Sequence, residues 1–215
     1  MKRTKVRALV TGEISIKSAA LYSAILGFVG FGVLLYFVNI ITLWLGVAAY
    51  VLYIAAYGLA KRKTVHGTLV GSIPGALPPV AGYAAVTNAI DGSAALLFLI
   101  LVLWQMPHFY AIAMFRLKEY EAANIPVLPL IKGNLATKRQ IVFYILLFII
   151  AVLALPHMGI VYMLAMLLLG GVWFIKALQG FKTHDDEKWA RGLFGFSLYV
   201  LLGFSMFAIV NHWLV

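Results

Sequence analysis

Seven stretches of about 20 apolar residues follow one another along this chain, each long enough for a helix to cross a bilayer core of roughly 30 Å. They cover residues 18–37, 39–60, 67–87, 94–115, 140–155, 159–175 and 193–214. Inside lipid every backbone N–H and C=O must find a partner within the protein, so such stretches are read as helices. Of the 215 residues, 64% are hydrophobic and only 11% are charged, which excludes a soluble domain. The expected fold class is an all-α polytopic membrane protein, with one domain covering 1–215.

The 17 basic residues outnumber the 7 acidic ones, for a formal charge of +10. On a soluble chain that excess would raise nucleic acid as a partner. Here their placement argues otherwise, and no nucleic-acid partner is expected. Lys2, Arg3, Lys5, Arg7 and Lys17 lie before or at the edge of the first span. Lys61, Arg62 and Lys63 follow the second span. Arg116, Lys118, Lys132, Lys138 and Arg139 lie between the fourth and fifth, and Lys176, Lys182, Lys188 and Arg191 between the sixth and seventh. The other connections hold none. By the positive-inside rule the arm and these three loops are cytoplasmic, in a bacterial inner membrane or its equivalent. The inner loops are also the long ones, so function is expected at that face. The arm is not a signal peptide, because the apolar stretch after it is too long and lacks a cleavage site. The absence of cysteine removes disulfides, thiolate metal sites and iron–sulfur ligation.

Four segments could carry chemistry. The arm MKRTKVRALVTGEIS reads either as a topogenic basic cluster or as an anion site, with Arg3 and Arg7 gripping a polyphosphate through bidentate hydrogen bonds. In YGLAKRKTVHG, Tyr57 and Lys61 are four residues apart and share a helix face beside Arg62. They read as an interfacial anchor or as a second cationic wall. In GTLVGSIPGALPPVAGY, Gly67, Gly71 and Gly75 form a small-residue face for close helix packing. Pro74, Pro78 and Pro79 each remove a backbone donor. That helix is either tightly packed or bent around a pocket, with Gly71 and Pro78 as lining.

The fourth segment, WQMPHFYAIAMF, holds Gln105, Pro107 and His108 in the middle of an apolar run. His108 lies eight residues before Arg116, ~12 Å deep at 1.5 Å per residue. Gln105 and His108 are three apart, so both are expected to point into one space beside Trp104, Pro107 and Phe109. Polar groups at such depth face the bundle interior or a wet cavity. His108 is then either satisfied by an interhelical hydrogen bond or a cavity-lining base, donor or haem-iron ligand. Among the acidic residues, Asp185, Asp186 and Glu187 read as a solvated loop capping the last helix. Glu119 is better placed, on the side of the cationic walls. The sum is an inward-facing cavity with a cationic mouth and aromatic walls. It suits a long apolar substrate with a polyanionic head, such as a prenyl diphosphate. Losing diphosphate leaves an allylic cation, which aromatic faces stabilise and exclusion of water protects. Such sites normally use Mg²⁺, which prefers carboxylate and water oxygens, and acids are few here.

These segments, together with WQMPHFYAIAMFRLKEYEAANIPVLPLIKG and KWARGLFGFS, resemble the UbiA-type intramembrane prenyltransferases, and within them the haem-modifying branch. WQMPHF and PGALPPVAGY carry that branch, whereas YxxxKR alone marks the wider family. The resemblance implies a nine-helix bundle, Mg²⁺-dependent transfer of farnesyl from farnesyl diphosphate to a vinyl group of haem B, and addition of water to give haem O. It implies diphosphate binding by Arg3, Arg7, Lys61 and Arg62, catalytic work by Tyr57, Gln105 and His108, and a weak metal ligand at Glu119. A haem A synthase or a terminal oxidase is the partner such a pathway would supply. The family's first aspartate-rich motif and two further helices would precede Met1. The chain is therefore expected to be N-terminally truncated, to lack its main Mg²⁺ ligands, and to be inactive or nearly so alone. Three rival readings remain. A quinone-pathway prenyltransferase would carry more aspartates around Glu119. A transporter would show an inverted repeat, and a haem-binding carrier would need paired axial ligands.

Overall fold

The computed structural model describes residues 5–214, with side chains as far as Asn211. Seven helices among the described residues are long and apolar enough to span a membrane. They are α1 (Ile16–Phe37), α2 (Ile40–Lys63), α3 (Gly67–Thr87), α4 (Gly92–Phe115), α5 (Leu128–Leu153), α6 (Ile160–Gln179) and α7 (Asp186–Leu214). Short helices at Ala8–Thr11 and Leu117–Glu121 lie at the basic end.

Polar residues between the apolar runs start the helices by the usual capping chemistry. Ser15 accepts the amide of Ser18 at 3.0 Å to open α1. Asn39 accepts the amide of Thr42 at 2.8 Å to open α2, while its Nδ2 donates to the Ala84 carbonyl at 2.9 Å and ties that turn to α3. Asp91 opens α4 by accepting the Ala94 amide at 2.9 Å. That amide and the Tyr83 hydroxyl, 2.7 Å away, hold the Asp91 carboxyl below the usual carboxylate range.

Two helices begin well before the apolar runs that betray them. The fifth span, expected from 140, starts at Leu128, and the seventh, expected from 193, starts at Asp186. Both extend beyond the apolar slab as charged rods, and hydropathy marks only the part in lipid. Gly133, at φ +78°, breaks α5 near its start.

Helix α4 is the hub and packs on α3, α5 and α7; α6 closes a ring by packing on α5 and α7. Most buried hydrophobic residues belong to this four-helix ring, among them Ile100, Met106, Ile145, Phe148, Met166 and Trp173. From α3 the remaining helices trail outward, α2 against α3 and α1 chiefly against α2. Helix α1 contributes no buried residue among the described ones. The acidic run at the start of α7 is spent on structure, as a capping loop should be. Asp185 accepts the Lys188 amide at 2.9 Å, Asp186 pairs with Lys138 and Asn134 of α5, and Glu187 pairs with Arg191.

Candidate active site

A cavity of about 280 Å³ lies where α2, α3 and α4 meet. Its α3 wall is the glycine stripe, and each glycine receives one side chain or backbone of interest. A Cβ on Gly67 would stand 2.9 Å from the Lys61 backbone, and one on Gly71 would stand 2.7 Å from the Tyr57 ring. A Cβ on Gly75 would collide with the Gln105 amide. The spacing of four is therefore more than a close-packing device, because it seats Lys61, Tyr57 and Gln105 along one wall.

Helix α2 contributes through a π-helical turn, Leu52–Tyr57. Such turns insert an extra residue into a helix and often sit at functional sites. Tyr53 and Tyr57 both project from it into the cavity, ring centroids 5.4 Å apart. The Lys61 ammonium lies 5.4 Å from the Tyr57 ring centroid, a cation–π contact one turn further on. Phe109 lines the cavity from α4, and Ile125, Pro126 and Val127 close it from the connection to α5.

At its basic end the cavity adjoins a depression lined by Arg7, Lys61 and Arg62, sharing Lys61 and Ile125 with it. Arg7, Lys61 and Arg62 are thus brought together as a cationic mouth. Arg3, expected beside them, lies outside the described residues. At the other end the cavity shares Tyr53 and Gly75 with a wide-open apolar groove between α1, α2 and α3, where Pro78 is found.

The WQMPHF segment divides between two faces of α4. Gln105 and Phe109 look toward the cavity, where the Gln105 Nε2 donates to the carbonyls of Ser72 at 3.2 Å and Leu101 at 3.1 Å. The expectation that His108 shares that space is corrected. Its Nδ1 is 2.7 Å from the Ser197 hydroxyl on α7, and its ring stacks on Trp104 at 4.6 Å and meets Phe194 at 4.8 Å. Trp104 likewise turns to α7 and donates to the Ser197 carbonyl at 2.8 Å, and Pro107 is fully buried in packing. None of the three lines the cavity. The reason is angular. A step of three residues leaves the two side chains about 60° apart around the helix, and α4, packed on three sides, offers Gln105 to α3 and His108 to α7.

Glu119 also falls apart from the cavity. It pairs with Arg116 at 3.3 Å and lines a separate depression with Asp186 and Glu187. Among the described residues no three His, Asp or Glu side chains converge as a metal cluster, and no carboxylate lines the cavity or its mouth. The described residues do not fit a magnesium centre. Tyr53, Thr64, Thr68 and Tyr120 line the cavity without having been singled out from the sequence. Tyr53 had a signal in its spacing of four from Tyr57, whereas Tyr120 reaches the cavity only through the placement of the short helix Leu117–Glu121.

The UbiA prenyltransferase family matches residues 1–213. The chain is 46% identical over 210 residues to protoheme IX farnesyltransferase 2 of Pseudomonas putida, covering 96% of this chain and 71% of that protein. It is 46% identical over 215 residues to the protoheme IX farnesyltransferase of Shigella sonnei, covering 98% of this chain and 73% of that one. A solved structure of a digeranylgeranylglyceryl phosphate synthase superposes with a TM-score of 0.78 at 21% identity, over 98% of this chain and 76% of that one, which establishes the shared fold. Seven apolar helices, a pocket of tyrosines and cations beneath them, and these relatives lead to one assignment: the chain is a multi-pass membrane protein that belongs to the UbiA prenyltransferase family.

Proposed function

We propose that this chain transfers a farnesyl group from farnesyl diphosphate to a vinyl group of haem B, giving haem O, at the cytoplasmic face of a bacterial inner membrane. The observation that carries the reading is the order of mouth, cavity and apolar groove, each sharing lining residues with the next. Cations stand at one end, aromatic rings in the middle and an apolar space at the other. The identity of the acceptor is supported by the relatives' names.

The diphosphate head would sit among Arg7, Lys61 and Arg62, whose charges offset its own and favour it as a leaving group. Breaking the allylic C–O bond sends the electron pair to diphosphate and leaves a delocalised cation beside Tyr53, Tyr57 and Phe109. Their ring faces stabilise positive charge, and the enclosing helices keep bulk water from capturing it too early. The vinyl group of haem then forms the new C–C bond. One water adds to the resulting cation, and a proton departs. Divalent metal is general to diphosphate chemistry in this family, and the chain's own described contribution to the head is cationic. Gln105 holds the cavity wall through its two bonds to backbone carbonyls. His108 is a positioning residue that locks α4 to α7 through Ser197.

Equilibrium binding together with mass spectrometry of products tests the reading. Farnesyl diphosphate should bind and be displaced by inorganic diphosphate, haem B should bind, and any product should be haem bearing hydroxyl and farnesyl. Alkylation of a hydroxybenzoate with no effect on haem would replace the acceptor with that of the quinone pathway.

A further inference from the structure

We propose that Gly75, together with Tyr53, forms the neck that decides how long an isoprenoid chain the enzyme accepts. This rests on the reading of the cavity as a prenyl diphosphate site. The cavity beside Tyr57 holds about 280 Å³, and beyond it lies an open apolar groove. Tyr53 and Gly75 are the two residues that line both. Gly75 lies two helical turns from Gly67, ~12 Å deeper than the level of Lys61. A short chain whose head is held at the mouth ends within the cavity. A longer one passes the neck into the open groove, whose lining includes Phe31, Leu34, Tyr50 and Pro78 and no charged side chain.

Glycine at 75 leaves the room that the Gln105 amide fills at the neck. A methyl group there would collide with the Gln105 amide oxygen. That amide has no free retreat, because it is 5% exposed and its nitrogen is held by the carbonyls of Ser72 and Leu101. Alanine at 75 therefore displaces the amide from the place it now fills and pushes it toward the passage. The cationic mouth, lined by Arg7, Lys61 and Arg62, is untouched by the change.

The experiment titrates the full chain, in detergent, with inorganic diphosphate, geranyl diphosphate and farnesyl diphosphate. Wild type should bind farnesyl diphosphate more tightly than geranyl diphosphate. In Gly75→Ala, affinity for farnesyl diphosphate should fall at least tenfold, while geranyl diphosphate and inorganic diphosphate stay within about twofold. Gly82→Ala, on the same helix with nothing within 4 Å of the added carbon, should keep the wild-type order. Wild-type farnesyl affinity in Gly75→Ala, or an equal fall for all three ligands, overturns the proposal. Failure of wild type to bind inorganic diphosphate would instead sink the reading of the mouth, which is a different failure. Should Gly75→Ala not fold, Tyr53→Ala provides the second arm. Widening the neck should raise affinity for geranylgeranyl diphosphate relative to farnesyl diphosphate, and an unchanged ratio overturns the proposal equally.

Discussion

Lys61 is the residue on which the proposed chemistry most depends. It lines both the mouth and the cavity, with its ammonium over the Tyr57 ring. A charged hydrogen bond contributes about 1.5–3 kcal/mol, and each 1.4 kcal/mol is about tenfold in affinity. Lys61→Gln should therefore weaken diphosphate binding by roughly ten- to a hundredfold, read by calorimetric titration, with a shallower salt dependence than wild type. His108 belongs to a different account. Its bond to Ser197 joins two helices of the buried ring, and leaving one buried partner unsatisfied costs about 1–3 kcal/mol. His108→Ala and Ser197→Ala should each lower the unfolding midpoint, and the double variant should cost less than their sum. Diphosphate affinity should stay near wild type in all three. A His108 variant that keeps its stability but stops prenyl transfer would return the residue to the catalytic role expected from sequence.

At the scale of elements, α3 is the part least tolerant of added bulk. Its Gly71 presses on the Tyr57 ring so closely that one methyl group must displace it. Overpacking of this kind costs about 1–3 kcal/mol. Gly71→Ala should lower the melting temperature and also abolish prenyl transfer, because the ring it moves belongs to the cavity. Gly82→Ala, about three turns further along, should do neither. The three prolines of α3 leave it continuous from Gly67 to Thr87, so they do not break it. The π turn in α2 is the complementary element, with Tyr53 and Tyr57 both turned toward the glycine wall.

For the whole molecule, the sharpest claim is orientation. All 17 basic residues fall at one end of the bundle's connections by sequence, with the cavity mouth among them. The chain has no cysteine, so single cysteines can be introduced without altering the background. Cysteines at Lys63, Lys132 and Lys182 should react with a membrane-impermeant maleimide only in inside-out vesicles. One at Asn88 should react only in right-side-out spheroplasts. Labelling of Lys63→Cys and Asn88→Cys from the same side would refute the seven-span topology as well as the orientation.

The sequence by itself determined the number of membrane helices and the connections at which the charges gather. These follow from hydropathy, positive charge and spacing, which are additive along a chain. It also marked the glycine stripe and the capping loop before α7, because both obey local rules. Only the tertiary structure decided which face of α4 belongs to the cavity. Gln105 and His108 are close in sequence, but α3 claims one and α7 the other, and which neighbour packs where is not written in the periodicity of a helix that is apolar all round. The same holds for the π turn that ends at Tyr57, for Tyr120 arriving on a short helix, and for Glu119 falling to a separate depression. Each depends on contacts between segments far apart in the chain, and those exist only once the helices have packed.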